Sequence, residues 1–411
     1  MRIGVNCFLL APHIGGLRQY FLTLFRELLA RDDEHEYVFF WYAHNEAELE
    51  QLGTDRWRRG AVRLDDQRQV REHLDRIDLY FCPLTALYPR PLPRPTVMTL
   101  VDIQEVFYPE FFSADDRYTR QLHFSGSTRM ADRVITISEF SRRTILEHHR
   151  LRPERVVAVH LCADERYVRS EAVARPPATP VPSRFLFYPA NAWKHKNHDV
   201  LLRALRLLRN ERHRRLDLVL SGFGQDERST VLALAESHGV REQVHPVGYL
   251  SVEELAYLYR HADMLVFPSL FEGFGIPLVE AMTVGCPIAA ANVTSLPEIG
   301  GDAAEYFDPT SPAAAAAAIE RVLDDARLRD TLRARGRRRA LDFSPAKVAD
   351  AHLAAFEAAA LAYSKHAFLW RRFVTGYLHR ARLEWQWRAH HRRTVREWVK
   401  AGRRWLADPA A

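Results

Sequence analysis

Two glutamates separated by seven residues, Glu272 and Glu280 in FEGFGIPLVEAM, bracket a Gly-Phe-Gly turn and an apolar run. Carboxylates accept hydrogen bonds strongly from neutral hydroxyls. A pair at different heights would hold a ligand with two sets of hydroxyls, such as a sugar and a ribose. Gly273 and Gly275 let the backbone come close to a ligand. Pro277 suits the first turn of a helix, because the N–H it lacks would be unsatisfied there. The helix N-terminus adds free N–H donors beside the turn. Alone, such a pair reads as a solvated loop residue and an exposed helix residue, so the surroundings must decide.

MLVFPS forms a strand ending just before the turn, and the helix after it stops at Gly285 with Pro287 beyond. The first half of the chain alternates strand-like runs (RIGVNCFLL, YVFFWY, DLYFC, TVMTLV, RVITIS, VVAVHL) with helical periods. In LRQYFLTLFRELLARD, for example, Tyr20, Leu24 and Leu28 recur at spacing four. Pro176, Pro177, Pro180 and Pro182 interrupt the pattern in ARPPATPVPS, which reads as a linker. The alternation then restarts with FLFYPA, LDLVLSG, VHPVG, MLVFPS and PIAAANV, separated by helical stretches at 197–210, 226–238, 251–262 and 277–285. Strand-helix alternation predicts parallel sheets covered on both faces. The fold class is therefore α/β, with two Rossmann-like, doubly wound domains facing a cleft where the strands' carboxyl ends meet. The expected boundaries are 1–173, a linker at 174–183, 184–345, a C-terminal helix at 346–363 and a basic helical extension at 364–411. PAAAAAAIERVLDDARLRDTLRARGRRRAL is expected to be helical by propensity, despite its low complexity.

At 411 residues, two domains are the natural division. The content, 47% hydrophobic and 27% charged, is that of a globular chain. No window approaches the ~18 apolar residues a membrane-spanning helix needs. MRIGVNCFLLAPHIGG reads as a first strand and glycine turn, not as a signal peptide. Cys7, Cys82, Cys162 and Cys286 are scattered and form no CxxC pair, so a reducing cytoplasm is expected. The net charge of +6 is concentrated in residues 364–411, which hold twelve Lys/Arg and three Asp/Glu. The remainder carries 46 basic and 49 acidic residues and is slightly acidic.

FEGFGIPLVEAMTVGCPIAAANVTSLPEIGGDAAEYFDP resembles the donor-binding core of glycosyltransferase family four, a retaining group with the GT-B fold. The resemblance extends over roughly residues 1–363. It implies that Glu272 holds sugar hydroxyls of a nucleotide-sugar donor, that Glu280 holds the ribose, and that the amides of Phe274 and Gly275 assist beside Gly273. NAWKHKNHDVLLRAL is similar to the family's phosphate-binding segment, which implies Lys196 as the cation on the pyrophosphate. Where the family usually has an arginine five residues earlier, this chain has Asn191. Gly15 and Gly16 match the glycine turn facing the pyrophosphate, and Gly222 joins the donor side. Tyr249 and Leu250 in VGYLSVEEL are candidate nucleobase contacts, with ordinary loop packing the alternative. VMTLVDIQEVF is similar to the segment in which many relatives carry His-Asp, but here Val101 precedes Asp102. A histidine contact to the sugar therefore does not carry over. Asp102 either lines the site as a third catalytic candidate or caps the following turn. Ser138 and Glu139 in ITISEFSR read as a helix cap at the cleft's border.

The resemblance implies transfer of a hexose to a glycan or lipid-linked saccharide, with SLPEIGGDAA pointing to bacterial mannosyltransferases that use GDP-mannose. A UDP-hexose donor stays open. No cofactor and no metal are implied, and no Asp-x-Asp or zinc-like spacing occurs. SGFGQDE places Glu227 where a dinucleotide fingerprint needs its third glycine. The tail interleaves its cations with Trp370, Trp385, Trp387, Trp398 and Trp405 at helical spacing. Such composition suits an anionic membrane surface on the cytoplasmic side better than nucleic acid. Packing on the enzyme body or on a second subunit is the other reading, and the oligomeric state is left open.

Overall fold

The computed structural model describes residues 1–31, 35–90 and 92–370, and beyond them only positions 378, 381, 382, 384, 385 and 388. Two wholly parallel sheets form its frame. The first contains β1 (Arg2–Asn6), β2 (Glu36–Trp41), β3 (Val62–Arg63), β4 (Leu79–Cys82), β5 (Thr96–Thr99), β6 (Arg133–Thr136) and β7 (Val156–Ala158), in the order β3-β2-β1-β4-β5-β6-β7. The second contains β8 (Leu186–Pro189), β9 (Leu218–Ser221), β10 (Val244–Gly248), β11 (Met264–Phe267), β12 (Ile288–Ala291) and β13 (Glu305–Phe307), in the order β10-β9-β8-β11-β12-β13. Helices cover both faces of each sheet, so central strands such as LYFC and MLVF are buried at every position. The strand order reverses beside β1 and beside β8, and loops leaving the carboxyl ends there meet across the cleft.

Every strand read from the sequence is present. The two not anticipated, β3 and β13, are edge strands of two and three residues, too short for a pattern. One run expected to be helical is helical with a single break. The alanine- and arginine-rich run is two helices, Pro312–Asp324 and Ala326–Ala340, because Asp325 leaves the helical conformation and its carboxylate accepts the Leu328 N–H at 2.9 Å. The crossing between domains also comes earlier than the prolines suggest. The short helices Glu165–Val168 and Ser170–Val173 already pack on the second domain, with Arg166 3.0 Å from Glu253 and Tyr167 against Tyr259.

The chain crosses once more at the end. Helix Pro345–Ala362 returns to the first domain, where Phe356 packs on Phe81 with ring centroids 4.9 Å apart and Arg31 meets Asp350 at 2.6 Å. His352 shares a 2.7 Å hydrogen bond with the Tyr20 hydroxyl, and burial holds its imidazole down at about 4. The tail begins as helix Lys365–Trp370. Trp370 and Trp385 are exposed, whereas Trp387, Trp398 and Trp405, and with them most of the expected amphipathic extension, lie outside the described residues. Among the described residues no helix is long and apolar enough to cross a membrane.

Candidate functional site

The turn after β11 is fixed from within its own domain. The Glu272 N–H donates to the Thr294 hydroxyl at 3.1 Å, and the Ser295 hydroxyl lies 2.9 and 3.0 Å from the carbonyls of Glu272 and Phe274. Gly275 has φ +97°, and a β-carbon on it would fall 2.7 Å from the Leu296 side chain. Both conformation and space require glycine there.

The opposite domain closes on the same turn. A β-carbon on Gly273 would fall 2.6 Å from the Asp102 carboxylate, and the Gly273 carbonyl accepts from the hydroxyls of Ser138 at 2.7 Å and Ser141 at 3.3 Å. Asp102 both caps and lines: its Oδ1 accepts the Gln104 N–H at 3.1 Å while Oδ2 faces Gly273. Burial lifts the Asp102 carboxyl above its usual range, opposed by the Gln104 N–H and by Arg120. Val101 is a partly buried apolar residue packed on the core.

Lys196 lies in the loop after β8, with its Nζ 2.7 Å from Glu272 Oε1. Side-chain exposures of 17% and 12% make this a largely buried ion pair. Its loop is braced by the Tyr188 hydroxyl, which donates to the Lys196 carbonyl at 2.6 Å. Asn197 adds bonds from its side-chain amide to the carbonyls of Pro268 and Pro309 at 3.0 and 2.8 Å. The ammonium has three N–H groups and the glutamate engages only part of that capacity, so a bound phosphate can share it.

Glu280 is buried in helix Ile276–Val284, so it is not an ordinary exposed helix residue. The Tyr259 hydroxyl donates to it at 2.7 Å. Burial pushes its carboxyl up to about 7, opposed by the Tyr259 hydroxyl and by the Tyr167 and Gln19 side chains nearby. Gln19 belongs to the first domain, on helix Gly16–Ala30. The Gly15-Gly16 turn starts that helix, with Gly15 at φ +54°, and a β-carbon on Gly16 would lie 3.7 Å from Ile276. Two helix N-termini therefore face each other across the cleft and offer free N–H groups to an anion.

The remaining candidates are more scattered. Gly222, at φ +98°, abuts the backbone of Ala190 and Asn191, and its N–H donates to the Gly248 carbonyl at 2.9 Å. It therefore joins the ends of β8, β9 and β10. Asn191 accepts the Trp193 N–H at 3.4 Å. Leu250 packs against the core, while Tyr249 is 74% exposed. Sequence reasoning missed Tyr259, Gln19, Thr294 and Ser295, which lie on helices or turns remote from Glu272 or Glu280 in sequence and carry no local signal.

Known proteins place this geometry. Residues 14–167 match the family described as Glycosyltransferase Family 4, and residues 171–339 match Glycosyl transferases group 1. The chain is a glycosyltransferase built from these two family domains. It is 35% identical over 253 residues to O-antigen chain mannosyltransferase B of Escherichia coli, covering 60% of this chain and 66% of that one. It is 29% identical over 272 residues to the serotype-specific mannosyltransferase WbdA of Escherichia coli, covering 64% of this chain and 33% of that one. The chain thus spans just under two thirds of the first relative and a third of the second. The Anabaena Alr3699/HepE structure superposes with a TM-score of 0.65 at 16% identity, over 87% of this chain and 99% of that one. This glycosyltransferase has the GT-B fold.

The Glu280 environment predicts a pH dependence. With its carboxyl raised from 4.5 to about 7, the folded protein keeps a proton that the unfolded chain has already released. Its contribution to stability is complete below about pH 4.5 and is lost as pH rises through about 7, by on the order of a few kcal/mol. Glu280→Gln should remove that slope. Denaturant titrations of both proteins across this range test it, and parallel curves would exclude the buried carboxyl as the source.

Proposed function

We propose that this protein transfers a hexose, mannose from GDP-mannose, to a hydroxyl of a glycan or lipid-linked saccharide in polysaccharide synthesis, with retention of anomeric configuration. The observation that carries this reading is the Lys196–Glu272 pair at the carboxyl ends of β8 and β11, beside Asp102 and across from the Gly15-Gly16 turn. Glu272 accepts from the hexose hydroxyls, Glu280 takes the ribose, and Lys196 with the helix N-termini holds the diphosphate. The acceptor oxygen bonds to the anomeric carbon as its bond to the diphosphate oxygen breaks. The electron pair leaves with the nucleoside diphosphate, whose oxygen receives the acceptor's proton on the same face of the sugar. Lys196 offsets charge as it builds on that leaving group.

Mannose is supported by the relatives, which are described as O-antigen chain and serotype-specific mannosyltransferases. A UDP-hexose donor is the second reading, favoured by the Anabaena neighbour, which was solved with UDP and with glucose. On the acceptor side, a cavity of about 600 Å³ opens at the ends of β1 and β4, lined by Asn6, Phe8, Tyr88, Arg120 and Phe124 among others. Aromatic faces with scattered hydrogen-bonding groups suit a pyranose ring. Arg120 lies 3.7 Å from Glu105, near Asp102, which connects the cavity to the reaction centre. A π-helical segment, Gln121–Ser125, supplies part of its wall, and such segments recur at functional sites. A binding protein working only through its basic tail is the contrasting class, and nucleotide-sugar turnover separates the two.

Glu272→Gln should lower transfer ~10²–10³-fold with the fold retained, and Lys196→Ala should slow departure of the diphosphate by a similar factor. A panel of nucleotide sugars, scored by thermal shift and turnover, identifies the donor. Near-normal turnover in folded Glu272→Gln protein refutes the assignment.

Among the described residues no three His, Cys, Asp or Glu side chains are grouped to hold a metal ion. Transfer is expected to persist after exhaustive chelation. A requirement for manganese or magnesium, restored on adding the metal back, would overturn the metal-free reading.

The tail is proposed to attach the enzyme to an anionic membrane surface. Its support is the concentration of twelve cations after Tyr363, each Lys or Arg near such a surface contributing ~1 kcal/mol. Truncation after Tyr363 should abolish co-sedimentation with anionic vesicles and leave transfer to a soluble acceptor intact. Undiminished vesicle binding by the truncated protein would remove this role.

A further inference from the structure

Glu298, in the LPEIGG stretch of the second domain, reaches across the cleft to the first. Its Oε1 accepts from the Glu139 N–H at 2.8 Å and lies 2.6 Å from His160 Nε2, while Oε2 accepts from the Phe140 N–H at 2.9 Å. Those amides are the first two of helix Glu139–His149. A helix N-terminus leaves its first N–H groups without intrahelical partners and carries partial positive charge. A carboxylate from the opposite domain therefore takes the first two amides, in addition to the local Ser138 cap on the third. Burial alone would raise the Glu298 carboxyl, but His160 and the two amides outweigh it and hold the group below its ordinary value. Arg339 anchors the other end, donating to the carbonyls of Glu298 at 2.8 Å and Ile299 at 3.2 Å.

The helix so capped contacts the donor turn directly. Ser138, its N-cap, accepts the Ser141 N–H at 3.0 Å and turns its own proton to the Gly273 carbonyl at 2.7 Å. Phe140 packs on Phe271 with centroids 5.8 Å apart, and Phe107 joins them at 5.4 Å from Phe271. The capping bonds and the serine contacts to Gly273 all cross between the domains. Opening the cleft would break them together without disturbing either sheet.

We propose that Glu298 is a positioning residue for transfer: capping the Glu139–His149 helix from the opposite domain, it sets Ser138 and Ser141 against the Gly273 carbonyl and so holds the Glu272 turn in its place beside Asp102. The link to transfer rests on the function proposed above. The clasp itself does not.

The test uses the full-length protein. Glu298→Gln keeps the side chain's shape but turns an amide N–H₂ toward one of the donors it must accept from. Misplacement by about 1 Å can cost ~10² in rate, so kcat should fall roughly 10–100-fold. GDP or UDP affinity by calorimetry should stay within about threefold of wild type, because the nucleotide contacts are left in place. Hydrogen exchange at the Glu139 and Phe140 amides should quicken. Ser138→Ala should reproduce the fall in kcat while those two amides remain slow. Wild-type kcat in Glu298→Gln overturns the proposal, and so does a rate loss matched by loss of nucleotide affinity and melting temperature, which marks a general structural role. If the wild-type protein turns over no nucleotide sugar, the function is misassigned. Amide exchange then judges the clasp alone: equal rates in the two proteins refute it, and faster exchange in the variant supports it.

Discussion

Burying Lys196 against Glu272 is the interaction on which the rest of this site depends. Neither charge could sit at such low exposure alone, since an unpaired ion at such a site pays a desolvation cost of several kcal/mol. Paired at 2.7 Å, they can occupy the cleft together and present a compact dipole to a ligand. The arrangement works only if two loops from different strands hold their backbones in fixed register. That explains the density of bonds around them, with Tyr188 and Asn197 bracing one loop and Thr294 and Ser295 the other.

The two domains are interlocked rather than merely tethered. The chain passes to the second domain before Glu165 and returns through helix Pro345–Ala362, whose Phe356 and His352 are buried against the first. Around the cleft, Ser138, Ser141 and Asp102 of the first domain, with Glu298 reaching to it from the second, make the first domain part of the wall that shapes the Glu272 turn. Neither Rossmann-like half has the complete site by itself.

The carboxyls of the cleft divide by environment. Glu280 and Asp102 are raised by burial, whereas Glu298 is held low by His160 and two amides once burial is counted. Glu280, pushed up to about 7, can hold a proton near neutral pH and donate as well as accept, a useful property beside vicinal hydroxyls. One that stays ionised is suited to capping a helix end.

The alternation of buried runs and helical periods determined the class of both sheets, because a strand covered on both faces must be apolar throughout and that pattern is local. The glycines at 273 and 275 and the Glu272–Glu280 spacing were legible for the same reason: turn, helix start and carboxylates lie within twelve residues of chain. The edge strands β3 and β13 escaped because two or three residues carry no period. The break at Asp325 escaped because capping competes with a strong helical propensity on both sides. Only the tertiary structure decided that Glu280 is buried against Tyr259 and Gln19 and that Glu298 caps a helix 158 residues away at Phe140. Burial and cross-domain hydrogen bonds depend on what the other half of the chain places opposite a residue, and no local stretch of sequence contains that information.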